Sequence, residues 1–181
     1  RASLYRVCQQ QGIAITTMKT FAAGLVKSGF ADLGEIYVYN RGAERSAEAL
    51  LTGLNVCMTP AELFEKADLI FIAVKGFAFD EICAENDRGA LLGKSVVSFM
   101  AGMTTAEIKQ RLGVECEVIR IMPTLAMADL MGVSGAVKNN NEYIKRMFSS
   151  FGFYFEVEET DIEKVTAYSG CGLGFAAYLL N

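Results

Sequence analysis

Short apolar runs recur along the chain at Ile36–Asn40, Leu54–Cys57, Leu69–Val74, Ser95–Phe99, Val118–Met122, Val133–Val137 and Phe153–Val157. Each has the length of a strand, and longer segments with helical spacing lie between them: Met18–Lys27, Glu44–Leu51, Ala61–Lys66, Thr105–Leu112 and Glu142–Phe151. This βαβ rhythm predicts an α/β fold with a doubly wound, mainly parallel sheet. Leu69–Val74 is apolar throughout, as a central strand covered on both faces must be, whereas Ile36–Tyr39 alternates less cleanly. Proline occurs only at positions 60 and 123, and no repeat or low-complexity tract marks a linker. One shift comes late, where "VTAYSGCGLGFAAYLLN" from Val165 reads as a glycine-interrupted helical stretch that is apolar nearly all round. Such a stretch needs more protein to cover it, so self-association is expected.

Composition narrows the chemistry. A chain of 181 residues with 52% hydrophobic content can bury one sizeable core, and a net charge of -4 without a basic stripe argues against nucleic acid as a partner. The absence of histidine excludes Ser-His or Cys-His nucleophiles and histidine-held metals. Five cysteines, at 8, 57, 83, 116 and 171, form neither a CxxC knuckle nor an evident disulfide framework. No apolar run reaches membrane-spanning length and the N-terminus lacks a signal-peptide layout, so a reduced, cytoplasmic setting is expected. The sequence starts at Arg1 rather than methionine, which suits a piece of something longer.

In a doubly wound sheet, ligands bind outside the carboxyl ends of the strands. After the strand ending near Tyr39, an acidic residue would accept the ribose hydroxyls of NAD, whereas an arginine would pair with the extra phosphate of NADP. Asn40-Arg41 is of the second kind, since the guanidinium forks onto phosphate oxygens. A solvated arginine beside a strand-ending asparagine is the plain alternative. Further ends are Ala73-Val74-Lys75-Gly76, Ser98-Phe99-Met100-Ala101-Gly102 and Arg120-Ile121-Met122-Pro123. Together with "VTAYSGCGLGFAAY", these ends in this order resemble the pyrroline-5-carboxylate reductase family, whose patterns are Asn-Arg, A-V-K-P, S-x-A-A-G, R-x-M-P-N and V-[ST]-x-[LV]-S-G-S-[GS]-P-A-Y. The resemblance spans roughly residues 12 to 181 and keeps the order of every element.

The resemblance implies a Rossmann-like dinucleotide-binding domain over 1–158 and, over 159–181, the first helix of a truncated C-terminal helical domain that makes a homodimer or higher homo-oligomer. It implies NADP as cofactor, NADPH being preferred over NADH on the Arg41 argument, and a small imino-acid substrate. Gly12, Asn40, Arg41, Ala73, Val74, Lys75, Ala101, Gly102, Met122 and Pro123 would then face the cofactor. Ser169, Gly170, Cys171 and Gly172 would begin a helix whose free N–H groups hold the substrate carboxylate. Plainer readings stand beside these: Lys75 as a surface lysine, Met122 as core packing, and the glycine-rich stretch as a helix start without ligand. No residue is assigned a catalytic role.

Departures cluster at the chemistry. The family's G-x-G-N-M fingerprint is missing near "QQQGIAITTMKT", where its glycines fall on Ile13, Ile15 and Met18, or on Ala14 and Thr16, depending on the anchor. Side chains there would obstruct close approach of backbone to pyrophosphate. Thr124, Leu125, Ala126, Cys171, Leu173, Gly174 and Gly76 replace further family residues. Two functions follow: NAD(P)H-dependent reduction of 1-pyrroline-5-carboxylate to proline or a close C=N reduction, and a catalytically impaired relative serving as a dinucleotide-sensing or assembly module. A reductase for another substrate within the wider 6-phosphogluconate-dehydrogenase-like group is a third reading.

Overall fold

The computed structural model describes residues 13–84 and 88–171. All seven apolar runs are strands: β1 (Tyr37–Tyr39), β2 (Asn55–Cys57), β3 (Leu69–Ile72), β4 (Ser95–Ser98), β5 (Glu117–Pro123), β6 (Gly132–Val137) and β7 (Gly152–Val157). The five expected helices are α1 (Ile13–Lys27), α2 (Ala43–Leu51), α3 (Pro60–Lys66), α5 (Thr105–Leu112) and α6 (Glu142–Ser150). One more was not legible in the pattern, α4 (Gly76–Ala84), and α7 (Ile162–Thr166) lies within the 159–181 stretch expected to hold a helix. The apolar "GFAFDEICA" of α4 lacks the amphipathic spacing by which a helix is recognised.

Local chemistry sets the helix ends. Thr104 accepts the Glu107 N–H while Glu107 reaches back to the Thr104 N–H, and Gly113 closes α5 in the left-handed region at φ +64°. Thr59 caps α3 ahead of Pro60, and Asn141 caps α6 through the Ile144 N–H.

Strands β3, β4 and β5 run parallel, β6 turns antiparallel to β5, and β7 lies parallel to β6. The period-2 alternation serves both faces. Ile70, Ile72, Val96 and Val118 pack with Phe64, Phe79, Ile108 and Leu112 on the side of α3 to α5. Val97, Ile119 and Ile121 pack with Phe21, Ile144 and Phe148 on the side of α1 and α6. Phe21 is the hub there, with ring centroids 4.3 Å from Phe71, 5.4 Å from Phe99 and 5.5 Å from Phe151. This is the expected doubly wound arrangement; among the described residues β1 pairs with β2, and β3 with β4.

Candidate functional site

The carboxyl ends of β1, β3, β4 and β5 meet along one edge of the fold. Arg41, just past β1, donates from Nη2 to Glu81 on α4 at 2.9 Å, which fixes the end of β1 beside the helix that follows β3. Both partners are well exposed, so this pair is solvent-screened and readily exchanged. Asn40 is half-buried, and its carbonyl accepts from the Ser46 hydroxyl at 3.4 Å. Ala73 and Val74 are half-buried where β3 gives way to α4, while Lys75 is exposed and its carbonyl caps the helix through the Ala78 and Phe79 N–H groups. Ala101 and Gly102 form an exposed turn after β4, Gly102 at φ +71°, a conformation that glycine adopts without strain. Met122 is 5% exposed and paired with Gly135 of β6, so in this state it packs in the core; Pro123 is half-buried beside it.

The late stretch differs from expectation. Its helical run begins at Ile162 and continues as a π turn over Ala167–Cys171, so Ser169, Gly170 and Cys171 stand inside the run rather than at its start. Their N–H groups are therefore not the free donors of a first turn but belong to a π turn, a widening often found at functional positions. The π turn also packs against β5 within the one chain, so its meeting with the Met122-Pro123 strand does not require a second subunit. Ser169 is half-buried. Gly172 and Gly12 lie outside the described residues. Ile13 to Met18, where the family glycines would fall, are the first turns of α1 and not a loop.

Sequence reasoning missed what holds this edge together. Arg120, 1% exposed on β5, donates from Nη2 to Glu163 at 2.5 Å and to the Met100 carbonyl at 3.4 Å, and from Nη1 to Glu159 at 3.4 Å. The same carboxylates accept from the turn after β4: Gly102 N–H to Glu163 at 3.0 Å and Thr105 N–H to Glu159 at 2.6 Å. One guanidinium thus ties β5, the Met100–Thr105 turn and the segment leading into the π turn. The signal was available, since a lone arginine inside an apolar strand must find counter-charges and the acidic run Glu156–Glu163 supplies them.

Burial alone would raise the Glu159 carboxyl, but the Thr105 N–H and the Arg120 guanidinium outweigh it and hold the group below the usual carboxylate range. A depressed carboxyl stabilises the fold above its unfolded pKa and loses that contribution as pH falls through the folded value. The stability difference between wild type and Glu159→Gln is therefore expected to be constant near neutrality and to shrink below the usual carboxylate pKa. Urea midpoints measured from pH 7 to pH 3 check this, and a difference that grows in acid would contradict it.

Comparison with known proteins places this edge in context. Residues 16–102 match the family described as NADP oxidoreductase, coenzyme F420-dependent. Pyrroline-5-carboxylate reductase of Staphylococcus aureus is 29% identical over 166 residues, and that of Staphylococcus saprophyticus 27% over 167. Each alignment covers 87% of this chain and 61% of the relative, so the chain spans about three-fifths of the length of these proteins. The Plasmodium falciparum pyrroline carboxylate reductase structure with NADP bound aligns with TM-score 0.79 at 22% identity, covering 91% of this chain and 62% of that one. The Coxiella burnetii pyrroline-5-carboxylate reductase aligns with TM-score 0.78 at 24% identity, over 91% and 64%. These two likenesses establish the Rossmann-like fold.

Proposed function

We propose that this chain, a relative of the pyrroline-5-carboxylate reductases, supplies the dinucleotide-binding part of an NADP-dependent reductase that converts 1-pyrroline-5-carboxylate, or a closely similar cyclic imine, to proline. The observation that carries the reading is the convergence of four strand ends, Asn40-Arg41, Ala73-Val74-Lys75, Ala101-Gly102 and Met122-Pro123, on one edge of the fold. Bound NADPH would supply the hydride. The chain's part is positional: Arg41 exchanges its exposed Glu81 partner for the 2′-phosphate, Gly102 lets backbone approach without a Cβ, and the π turn at Ser169–Cys171 faces the imine carboxylate beside β5. In this reading residues 1–158 form the dinucleotide-binding domain, 159–181 begin a helical domain through which copies associate, and the protein is cytoplasmic.

Arg41→Ala is expected to narrow discrimination between NADPH and NADH by on the order of tenfold or more, as loss of a charge-assisted phosphate contact worth about 1.5–3 kcal/mol requires. Fluorescence titration of both cofactors against both proteins checks this. Equal discrimination by wild type and variant would remove Arg41 from the site. A second reading, a catalytically impaired relative acting as a sensing or assembly module, is favoured by the helical placement of Ile13 to Met18, where backbone N–H donors for pyrophosphate would otherwise stand. Failure to bind NADPH at millimolar concentration would favour it.

A further inference from the structure

The turn between β4 and α5 is held more tightly than its packing explains. Met100 and Met103 anchor it in the core, while Ala101 and Gly102 between them are exposed. A Cβ built on Gly102 would meet no heavy atom within 4 Å, so the space over this backbone is open. The backbone on both sides of the opening is nevertheless fixed. The Met100 N–H donates to the Ser98 hydroxyl at 3.2 Å, the Met100 carbonyl accepts from Arg120, the Gly102 N–H donates to Glu163 at 3.0 Å and the Thr105 N–H to Glu159 at 2.6 Å. Glu159 and Glu163 reach in from 54 and 61 residues further along the chain, on the segment that runs through α7 into the π turn. Glu163 has the more telling geometry. Its Oε1 takes both the Gly102 N–H and the Arg120 Nη2, so buried Arg120 gives one orientation to a carboxylate that is 49% exposed. Exposed backbone that is already ordered under open space suits a ligand that approaches the main chain closely, because little ordering is left to binding.

We propose, on the reductase reading above, that Glu163 is a positioning residue for the nicotinamide half of the dinucleotide. The order of the strands decides which half. Arg41 stands past β1 and joins Glu81 on the helix that follows β3, and β4 comes next after β3 in the sheet. A dinucleotide with its 2′-phosphate on Arg41 and its length along the strand ends therefore brings its nicotinamide half to the Ala101-Gly102 turn. Glu163 touches neither half in this arrangement and acts through the Gly102 N–H. It also stands one turn ahead of the π turn, so the wall given to the imine carboxylate and the wall given to the nicotinamide are set by one side chain. The role calls for a carboxylate of this length. Glutamine would accept the Gly102 N–H but leave the buried Arg120 charge without this counter-charge, and aspartate is shorter by one methylene.

Titration of the full chain with NADPH and, separately, with adenosine 2′,5′-bisphosphate tests the assignment, because the second ligand carries the phosphate for Arg41 but no nicotinamide. Glu163→Gln is expected to weaken NADPH binding on the order of tenfold, the cost of ordering about one residue's backbone anew, and to leave adenosine 2′,5′-bisphosphate binding as in wild type. A general loosening of the fold would weaken both ligands alike. Glu163→Asp keeps the charge beside Arg120 and should fall between wild type and Glu163→Gln for NADPH alone; it carries the comparison if Glu163→Gln does not fold. Equal NADPH affinity in wild type and both variants would overturn the role of Glu163 while leaving the reductase reading intact, and so would an equal loss for the two ligands. A wild type that binds neither ligand would overturn the reductase reading and the role of Glu163 with it.

Discussion

Arg120→Ala is expected to lower the unfolding free energy by about 3–5 kcal/mol, because it empties the volume of a buried side chain, unpairs two carboxylates and strips the Met100 carbonyl of a donor. The variant Arg120→Met should cost distinctly less. Its side chain refills the volume of the stem and removes the Arg120 Nε, which is buried without a hydrogen-bond partner among the described residues. Glu159 and Glu163, at 35% and 49% side-chain exposure, can then take up water. Urea denaturation of the three proteins measures the ordering, and an Arg120→Met as damaging as Arg120→Ala would show that charge rather than volume decides. A Glu163→Gln, Arg120→Met cycle isolates the pair, with a coupling energy of about 0.5–3 kcal/mol expected from groups in direct contact. The same variants bear on the proposed function. Glu163 also holds the Gly102 N–H, so loosening the clamp frees the turn that the reductase reading puts against the cofactor.

The strands and most helices were legible because the core demands them. Leu69–Ile72 is apolar on both faces, and Ser95–Ser98 sends Val96 to one core and Val97 to the other, because helices cover both, and α5 announces itself through Thr104, Glu107 and Gly113. What stayed hidden depends on partners distant in sequence. That β6 runs antiparallel to β5 follows from the tight 3₁₀ turn at Leu125–Asp129, with Leu130 in the left-handed region at φ 58°, a conformation its sequence does not advertise. The strand ends could be found by counting from each apolar run, and Asn40, Ala73, Gly102 and Pro123 fall at or shortly after the ends of β1, β3, β4 and β5. Arg120 was read only as the first letter of a motif. Its role emerges from Glu159 and Glu163, some 40 residues away, which spacing alone does not pair.

Gly152→Ala is expected to destabilise the fold by about 3–5 kcal/mol, combining backbone strain with overpacking. Gly152 sits at φ +141°, where L side chains are rarely found, and a Cβ there would lie 2.1 Å from the Gly132 carbonyl oxygen and 2.7 Å from its nitrogen. Relief by movement is blocked. Gly132 donates to the Phe151 carbonyl at 2.8 Å, and a Cβ on Gly132 would itself stand 2.9 Å from the Met127 Cα, so backbone is stacked on backbone. On the far side of Met127, a Cβ on Gly24 of α1 would approach its carbonyl oxygen to 2.9 Å. Three glycines from α1, β6 and the start of β7 thus let the turn after Pro123 sink between helix and sheet, with Met127 fully buried at its centre. Strain at any of them is passed to Thr124, whose N–H and hydroxyl bind Val133 of β6, and so to the Met122-Pro123 end of β5. Gly24→Ala faces one close carbonyl and a helical φ, and should cost less than Gly152→Ala. Chemical denaturation of the two variants side by side checks the order, and a Gly152→Ala protein with wild-type stability would show that β6 and β7 are spaced more loosely than their register implies.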